Sequence, residues 1–327
     1  MEKMTGKFAI RLLIFAALLV SVNFLLDHAF KWFSAHNMVN RMMDRQFKEY
    51  DDTLTYLTMG NSHNCINTHI LEHSFNYGSP GESYIQSYYK LKYILEKTQN
   101  KPEFLLLQSD ISSFGPKISN RFEYNAYWIR YINFIEVARI KKNKDVLLNW
   151  LEGHFFSYAG NYKDVKLSIL YRIKFKSIDM YHGYRPHRDY KNFADEKNRQ
   201  QVAWDKAHLV LSKDVYFDPT IRIYFEKIMQ LCQDHGVKVI LVRFPEAREY
   251  YEEQAKIVPV DKLYRDVVSL ASQYPVYQGI LDYHDMFFGH PDYFFDPDHM
   301  NVKGSDLFSR RIADDLNSSD SLIFFRE

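Results

Sequence analysis

The sequence is poor in cysteine and has no excess of charge of either sign. Only Cys65 and Cys232 are cysteines among 327 residues, which excludes a disulfide-rich scaffold and a cysteine-rich zinc site. One disulfide between them and two unpaired buried thiols both fit this count. The net charge of +1 gives no reason to expect a nucleic-acid partner. No glycine-rich phosphate loop or dinucleotide fingerprint occurs, and we expect neither a nucleotide nor any other cofactor.

The amino terminus carries the longest apolar run. Residues 12–26 are apolar apart from two small polar side chains, and as a helix they would rise about 22 Å against a hydrocarbon core of roughly 30 Å. Lys7 and Arg11 precede the run, so their side chains can extend the span and favour a cytoplasmic amino terminus. We predict a membrane anchor through residues 8–26, with the remaining chain periplasmic or extracellular. A cleaved signal peptide is the alternative, although no small-x-small cleavage site follows the run.

Alternating apolar runs and helical patterns predict an α/β fold. The strand candidates are residues 54–59, 104–108, 237–242 and 276–281. Helical patterns occur at residues 63–73, 82–98, 219–235, 260–273 and 302–316. Strands that alternate with helices of this length favour a mostly parallel sheet covered on both faces, a three-layer α/β/α sandwich.

Composition divides the chain into segments. We predict that residues 1–30 form the anchor, residues 31–50 a helical connector, and residues 51–327 the main domain. An aromatic and basic segment at about residues 115–210 interrupts the alternation. We interpret it as a mostly helical insertion between two strands.

The first segment that predicts chemistry is Gly60-Asn61-Ser62, which follows the first predicted strand. A helical pattern begins at once, which would place Ser62 at the amino end of a helix and its N–H toward a developing oxyanion. Gly60 permits the tight turn. Alternatively, Ser62 only caps the helix.

The second segment, Asp296-Pro297-Asp298-His299, precedes the last helical pattern. An aspartate three residues before a histidine can accept the imidazole Nδ1–H, which leaves Nε2 facing a nucleophile. Asp298 is the substitute for Asp296 if the loop turns the other way. Alternatively, these residues only cap the helix or lie on the surface.

Together the two segments resemble the SGNH (GDSL-like) hydrolase superfamily, in which a serine follows the first strand and an Asp-x-x-His loop precedes the last helix. A third segment, residues 76–83 (NYGSPGES), resembles the second conserved block of that family. The resemblance implies a flavodoxin-like α/β/α domain in which Ser62 is the nucleophile, His299 its base and Asp296 the support of that base. It also implies that Gly81 donates its backbone N–H to the oxyanion.

One block departs from the family. Its Gly-x-Asn-Asp block corresponds here to Leu107-Gln108-Ser109-Asp110, so the resemblance puts Ser109 in the place of an oxyanion-binding asparagine, with Asn61 in the family's Gly-Asp-Ser block as a further oxyanion or binding residue. Losing one oxyanion donor costs about 3 kcal/mol of transition-state stabilisation. The departure fits the divergent, membrane-anchored branch that is similar to alginate acetylation and teichoic acid D-alanine transfer proteins. That likeness implies an acyl donor, a glycan or lipid-linked acceptor and a membrane-bound O-acyltransferase as partner.

Two other functions stay open on the sequence. A metal-dependent phosphoesterase would draw on the O and N ligands listed next. They are Asp282, His284, Asp285, His290, Asp292, Asp296, Asp298 and His299. Such residues also form ordinary turns, and no His-Glu-x-x-His pair supports a metal site. A non-catalytic subunit beside a membrane acyltransferase is the other alternative, favoured by Ser109. If His63 lies on a helix, it faces away from Ser62 and is not its base.

Overall fold

The computed structural model describes residues 2–33, 35–119, 131–132, 134–141, 148, 155–156, 158, 179–186 and 192–318. In chain order the α-helices are α1 (Glu2–Phe33), α2 (Ala35–Lys48), α3 (Tyr84–Lys97), α4 (Pro116–Ser119), α5 (Phe134–Lys141), α6 (Arg199–Val210), α7 (Pro219–His235), α8 (Arg248–Ile257), α9 (Val260–Ala271) and α10 (Val302–Asn317). The strands are β1 (Tyr56–Met59), β2 (Ser74–Asn76), β3 (Phe104–Gln108), β4 (Lys238–Arg243), β5 (Tyr277–Asp282), β6 (Phe294–Asp296) and β7 (His299–Met300).

The chain forms two compact units. One unit comprises residues 1–42 and 123–178, and the other comprises residues 43–122 and 179–327. The boundaries drawn from composition at residues 30 and 50 stay predictions. Helices α4, α5 and α6 lie within the segment 115–210, and much of the rest of that segment lies outside the described residues, so the mostly helical insertion stays a prediction.

Helix α1 contains the predicted apolar run. Residues Gly6–Trp32 have a mean hydropathy of 2.4 over their most apolar window and are long enough to cross a membrane, and none of that window is buried. A helix of this kind near the amino terminus serves equally as a membrane anchor or as a signal sequence. The structure therefore supports an exposed apolar helix.

A five-stranded parallel sheet forms the centre of the second unit, in the order β2-β1-β3-β4-β5. This is a doubly wound order, in which the chain moves outward from β1 in both directions and ligands bind at the carboxyl ends of the strands where the direction changes. That switch point lies between β1 and β3. The predicted α/β class and parallel sheet are confirmed.

The segment that follows Ser62 corrects one prediction. The expected helix at residues 63–73 does not form, and turns lead instead into β2, a strand that the sequence did not indicate. Asparagine side chains take the place of helical hydrogen bonds, since Asn61 and Asn67 each accept a backbone N–H two residues ahead. Such local side-chain bonds compete with helix formation. Ser62 therefore does not lie at a helix amino terminus.

Most other elements match their predicted positions to within two residues, because their ends carry strong signals. Helix α7 is the clearest case: Asp218 accepts two backbone N–H groups at its start, Pro219 is its first residue, and Gly236 ends it in the left-handed region at φ 71°. Helix α8 was not predicted, and α6 was predicted only as part of the mostly helical segment 115–210.

Candidate active site

A continuous chain of hydrogen bonds links Ser62, His299 and Asp296 at the carboxyl edge of the sheet. The Ser62 hydroxyl lies 2.7 Å from Nε2 of His299, and Nδ1 of His299 lies 2.7 Å from Oδ1 of Asp296. A carboxylate on Nδ1 fixes the tautomer whose Nε2 accepts the serine proton. The structure thus brings together the three residues that the sequence selected, separated by up to 237 positions.

A short hairpin presents two of these residues. Strands β6 and β7 pair antiparallel, with Asp296 opposite His299, and Pro297 and Asp298 form the turn. Immediately afterwards Asn301 caps α10 by accepting the Gly304 N–H at 3.1 Å. The hairpin and the capped helix hold the base at a defined height above the sheet.

Asp298 provides a second carboxylate to the same histidine. Its Oδ1 lies 2.9 Å from Nδ1 of His299 and 2.9 Å from the ammonium of Lys206, which reaches in from α6. Lys206 also lies 3.6 Å from Asp296. Both candidates for the supporting acid, Asp296 and Asp298, therefore contact the base.

The other oxygen of Asp298 contacts His63. Nε2 of His63 lies 2.9 Å from Oδ2 of Asp298, and Nδ1 of His63 lies 2.9 Å from Oδ2 of Asp110. The expectation that His63 does not act as the base of Ser62 agrees with this geometry, although the reason differs: its ring is held by two carboxylates in a turn, and no helix is involved.

The electrostatics of this cluster follow from burial and from these contacts. Burial disfavours the charged form of His63, but Asp298 and Asp110 outweigh it and raise the His63 pKa to about 10. Burial also opposes the charge on His299, and Asp298 and Asp296 raise the pKa of His299 above its usual 6.5. Burial raises the pKa of the Asp298 carboxyl, yet the two histidines hold it well below its usual range.

The turn between β1 and Ser62 is fixed by Gln108 at the end of β3. Gln108 accepts the Asn61 N–H at 2.7 Å and donates to the Asn61 side chain at 2.8 Å and to Asp110 at 2.6 Å. The Gln108 side chain packs on Gly60, where an added Cβ would lie 2.3 Å from Oε1. A larger residue at 60 would displace Gln108, so glycine is required there.

Asn61 was predicted as an oxyanion or binding residue, and the structure gives it a local role. Its side-chain oxygen accepts from the His63 N–H and from Gln108, and the residue is buried. It orders the turn that carries Ser62.

Gly81 lies in the loop that crosses this turn. Ser79 of that loop donates its N–H to the Gly60 carbonyl at 3.0 Å, and Gly81 adopts φ 72°, a left-handed conformation that favours glycine. Within the described part of the chain, the backbone N–H groups of Ser62 and Gly81 have no hydrogen-bond acceptor. Backbone N–H groups without an internal acceptor can donate to an oxyanion.

Ser109 does not fit the role that the family block suggested. Its hydroxyl is completely buried and donates to the Leu107 carbonyl at 3.1 Å, and its N–H pairs with Val242 of the next strand. Successive residues of a strand alternate between the two faces of the sheet, and the Ser109 hydroxyl lies on the face of α3, 3.4 Å from the Tyr84 hydroxyl. Gln108 and Asp110 face the site instead.

Both cysteines are free and buried, so the first of the two alternatives left by the sequence, a disulfide between them, is not present. Burial raises the pKa of the Cys65 thiol to about 12. Neither thiol is a candidate nucleophile, because the thiolate is the reactive form.

The residues of the alternative metal site separate into different surroundings. Asp282 pairs with Arg243 and His284, and the exposed His290 faces Asp292. Only His63, Asp298 and His299 lie close enough together, among the described residues, to share an ion, with candidate ligand atoms within 4.8 Å of one another.

The negative charge of Asp298 in this trio is already balanced by neighbouring groups. The Asp298 carboxylate contacts both imidazoles and the Lys206 ammonium. A cation there would lie beside the Lys206 charge and would have to displace the contacts between Asp298 and both histidines. The donor set therefore fits an ion poorly.

Comparison with known proteins adds no assignment: no protein-family model and no curated protein matches this chain.

Sequence reasoning missed Asp110, Gln108 and Lys206 as parts of the site. Asp110 stands at the aspartate of the family's third block, which was a usable signal. No sequence signal marked Gln108 or Lys206 as part of the site. The position of Gln108 depends on strand pairing, and the position of Lys206 depends on helix α6, whose bounds the pattern did not reveal.

Proposed function

We propose that this chain is a membrane-anchored serine esterase or acyltransferase of the SGNH type. The observation that carries the proposal is the hydrogen-bonded series Ser62–His299–Asp296 at the switch point of a doubly wound sheet. Nucleophile, base and orienting acid within hydrogen-bond reach are the arrangement that acyl transfer needs.

The proposed mechanism has two steps. His299 removes the Ser62 proton while the Ser62 Oγ attacks an ester or thioester carbonyl, and the leaving alcohol or thiol takes that proton as the acyl-enzyme forms. Water or a sugar hydroxyl then attacks the acyl-enzyme, with His299 accepting its proton and returning it to Ser62. The N–H groups of Ser62 and Gly81 stabilise each tetrahedral oxyanion.

The placement of substrate and partners follows the resemblance. We propose a three-layer α/β/α domain outside the cytoplasm, anchored by α1, that acts on a glycan or lipid-linked acceptor of the cell envelope beside a membrane-bound O-acyltransferase. The support is the exposed apolar helix together with the serine site.

Covalent labelling tests the proposal. The full chain in detergent is treated with a fluorophosphonate and the modified peptide is mapped, beside Ser62→Ala, His299→Ala and a His73→Gln control. His73 is a suitable control because it also pairs with an aspartate, Asp52, on the exposed surface. We expect Ser62 to be labelled in the wild type and in His73→Gln, and not to be labelled in His299→Ala.

Two outcomes would favour the alternatives. Labelling or esterase activity that is lost with a chelator and restored by a divalent metal would contradict the proposal and support the metal-dependent enzyme that the sequence left open. A folded chain with an unreactive Ser62 would support the non-catalytic subunit.

A further inference from the structure

His63 belongs to the buried cluster around His299, and the proposed mechanism gives it no role. It comes directly after Ser62, and both of its ring nitrogens contact carboxylates, at 2.9 Å to Asp110 and 2.9 Å to Asp298. The His63 side chain is 11% exposed and the Asp298 side chain 3%. Two buried carboxylate contacts on one imidazole require an explanation in terms of charge.

The geometry sets the protonation state of His63. A neutral imidazole has one N–H donor and one acceptor nitrogen, whereas an imidazolium has two donors. Facing two carboxylates, the neutral ring would direct a lone pair at one of them. The charged ring donates to both, and such charge-assisted bonds are about twice as strong as neutral ones.

The surroundings of His63 support this reading. Asp110 is itself held, since it accepts from the Phe244 N–H at 2.8 Å and from Gln108 at 2.6 Å. Besides Asp110 and Asp298, the charged or titratable groups that act on the ring or on its two carboxylates include His299, at 4.9 Å between ring centres, and Glu246 after β4. They also include Lys206, Tyr250 and Arg243, the last of which pairs with Asp282 at 2.6 Å. Burial raises the pKa of Glu246 to about 8, so Glu246 is mainly neutral at pH 7.

The charge has a consequence for His299. Asp298 contacts both histidines, so an unopposed Asp298 would hold His299 protonated and unable to accept the Ser62 proton. The cations His63 and Lys206 offset part of that negative charge. The cluster contains three carboxylates, those of Asp110, Asp296 and Asp298, and two cations, His63 and Lys206. One negative charge remains, and it matches the positive charge of the imidazolium that His299 becomes during the reaction.

We propose that His63 is a positioning residue that, as an imidazolium between Asp110 and Asp298, orients the Asp298 carboxylate on His299 and limits its effect on the protonation of that base. His63 does not contact the reacting atoms. The inference rests on the proposed function in one respect, that His299 is the base of Ser62.

The first test is the pH dependence of the fluorophosphonate labelling rate in the full chain in detergent, for wild type, His63→Gln and the His73→Gln control. Removing the cation raises the His299 pKa, so the fraction of neutral base at a given pH falls. We expect the acid limb of the profile to move up by about one pH unit and the rate at pH 7 to fall about tenfold, with a high-pH plateau close to wild type. The control keeps the wild-type profile.

A merely structural role of His63 predicts a different profile. The plateau would fall while the acid limb stayed at the wild-type pH, and that result would overturn the proposal. Melting temperatures of each variant establish that the labelled protein is folded.

A second measurement does not depend on Ser62 reactivity. The ¹⁵N signals of labelled histidines in the full chain are followed with pH, and the signals lost in His63→Gln identify His63. We expect both ring nitrogens of His63 to stay protonated at pH 8.5, and the His299 titration to move upward in His63→Gln. In Asp110→Asn, which keeps the imidazole, His63 should lose its proton about one to two pH units lower.

The two measurements separate the two ideas. If wild-type Ser62 is not labelled but His63 is charged and shifts the His299 titration, the proposed function fails and the role of His63 stands. If His63 is neutral at pH 7, or if the His299 titration is the same with and without it, the role of His63 is refuted whatever Ser62 does.

Discussion

At the scale of single residues, the site depends on which carboxylate controls the base. Asp296 and Asp298 both contact Nδ1 of His299, at 2.7 and 2.9 Å. Asp298 also contacts His63 and Lys206, whereas Asp296 has a longer approach to Lys206 of 3.6 Å. The two acids are therefore not equivalent, although the motif presents Asp296 as the supporting acid.

This difference predicts unequal effects of two conservative substitutions. We expect Asp296→Asn to lower the rate of Ser62 labelling about tenfold, because Asp298 still orients the ring, and Asp298→Asn to lower it about a hundredfold. The double variant should approach the ten-thousandfold loss that follows when a catalytic histidine has no carboxylate. Labelling rates at pH 8 measure this series, with Asp292→Asn on the exposed surface as the control. Equal losses for the two single variants would contradict the order.

At the scale of elements, helix α3 fixes the loop that carries Gly81. Lys90 of α3 donates to the Tyr77 carbonyl and to Glu82 at 2.6 Å, and both side chains of this ion pair are completely buried. Glu82 also accepts from Ser87 at 2.7 Å. A buried pair of this kind contributes little net stability but is costly to break on one side.

The buried pair of Lys90 and Glu82 predicts that substitutions of the two residues have non-additive effects on stability. Lys90→Met leaves Glu82 buried without its partner and should lower the free energy of unfolding by about 3 to 5 kcal/mol, while Lys90→Met with Glu82→Gln should recover much of that loss. Thermal unfolding of the full chain measures the cycle.

Lys92 provides a matched control on the same helix. It forms an exposed pair with Glu96 at 3.8 Å, so Lys92→Met should change stability by less than about 1 kcal/mol. If Lys90→Met were equally mild, the buried pair would not hold the loop. Labelling of Ser62 in the double variant then reports whether the position of Gly81 depends on the ion pair or only on packing.

At the scale of the whole molecule, the proposed anchor predicts that the serine domain and the amino terminus lie on opposite sides of a membrane. The two native cysteines are buried, and burial raises the pKa of the Cys65 thiol to about 12. The two native thiols should therefore react little with a maleimide, so that labelling reports on an introduced cysteine.

The orientation can be read from two single cysteine variants. We expect Glu96→Cys, on the exposed end of α3, to react with a membrane-impermeant maleimide on intact cells, and Lys3→Cys to react only after lysis. Carbonate extraction of the wild-type chain checks that it stays with the membrane. Release of the chain by carbonate would indicate a cleaved signal sequence, and the reverse labelling pattern would place the domain in the cytoplasm.

The sequence by itself determined the elements that have local signals. The apolar run of α1, the β-branched strand before Arg243 and the capped start of α7 at Asp218 were all readable, because periodicity and caps act over a few residues. It also selected Ser62, Asp296 and His299, because the two short segments that contain them together resemble the blocks of the SGNH family.

Only the tertiary structure decided how those segments meet. It replaced the expected helix after Ser62 with turns, in which Gln108 and Asp110 at the end of β3 hold Asn61 and His63. It placed the Ser109 side chain on the face of the sheet that α3 covers, and it brought Asp110 and Asp298 to the two nitrogens of His63. Residues 63 and 298 are 235 positions apart, and the contact between them depends on parallel strand pairing and the β6–β7 hairpin, which no local pattern encodes.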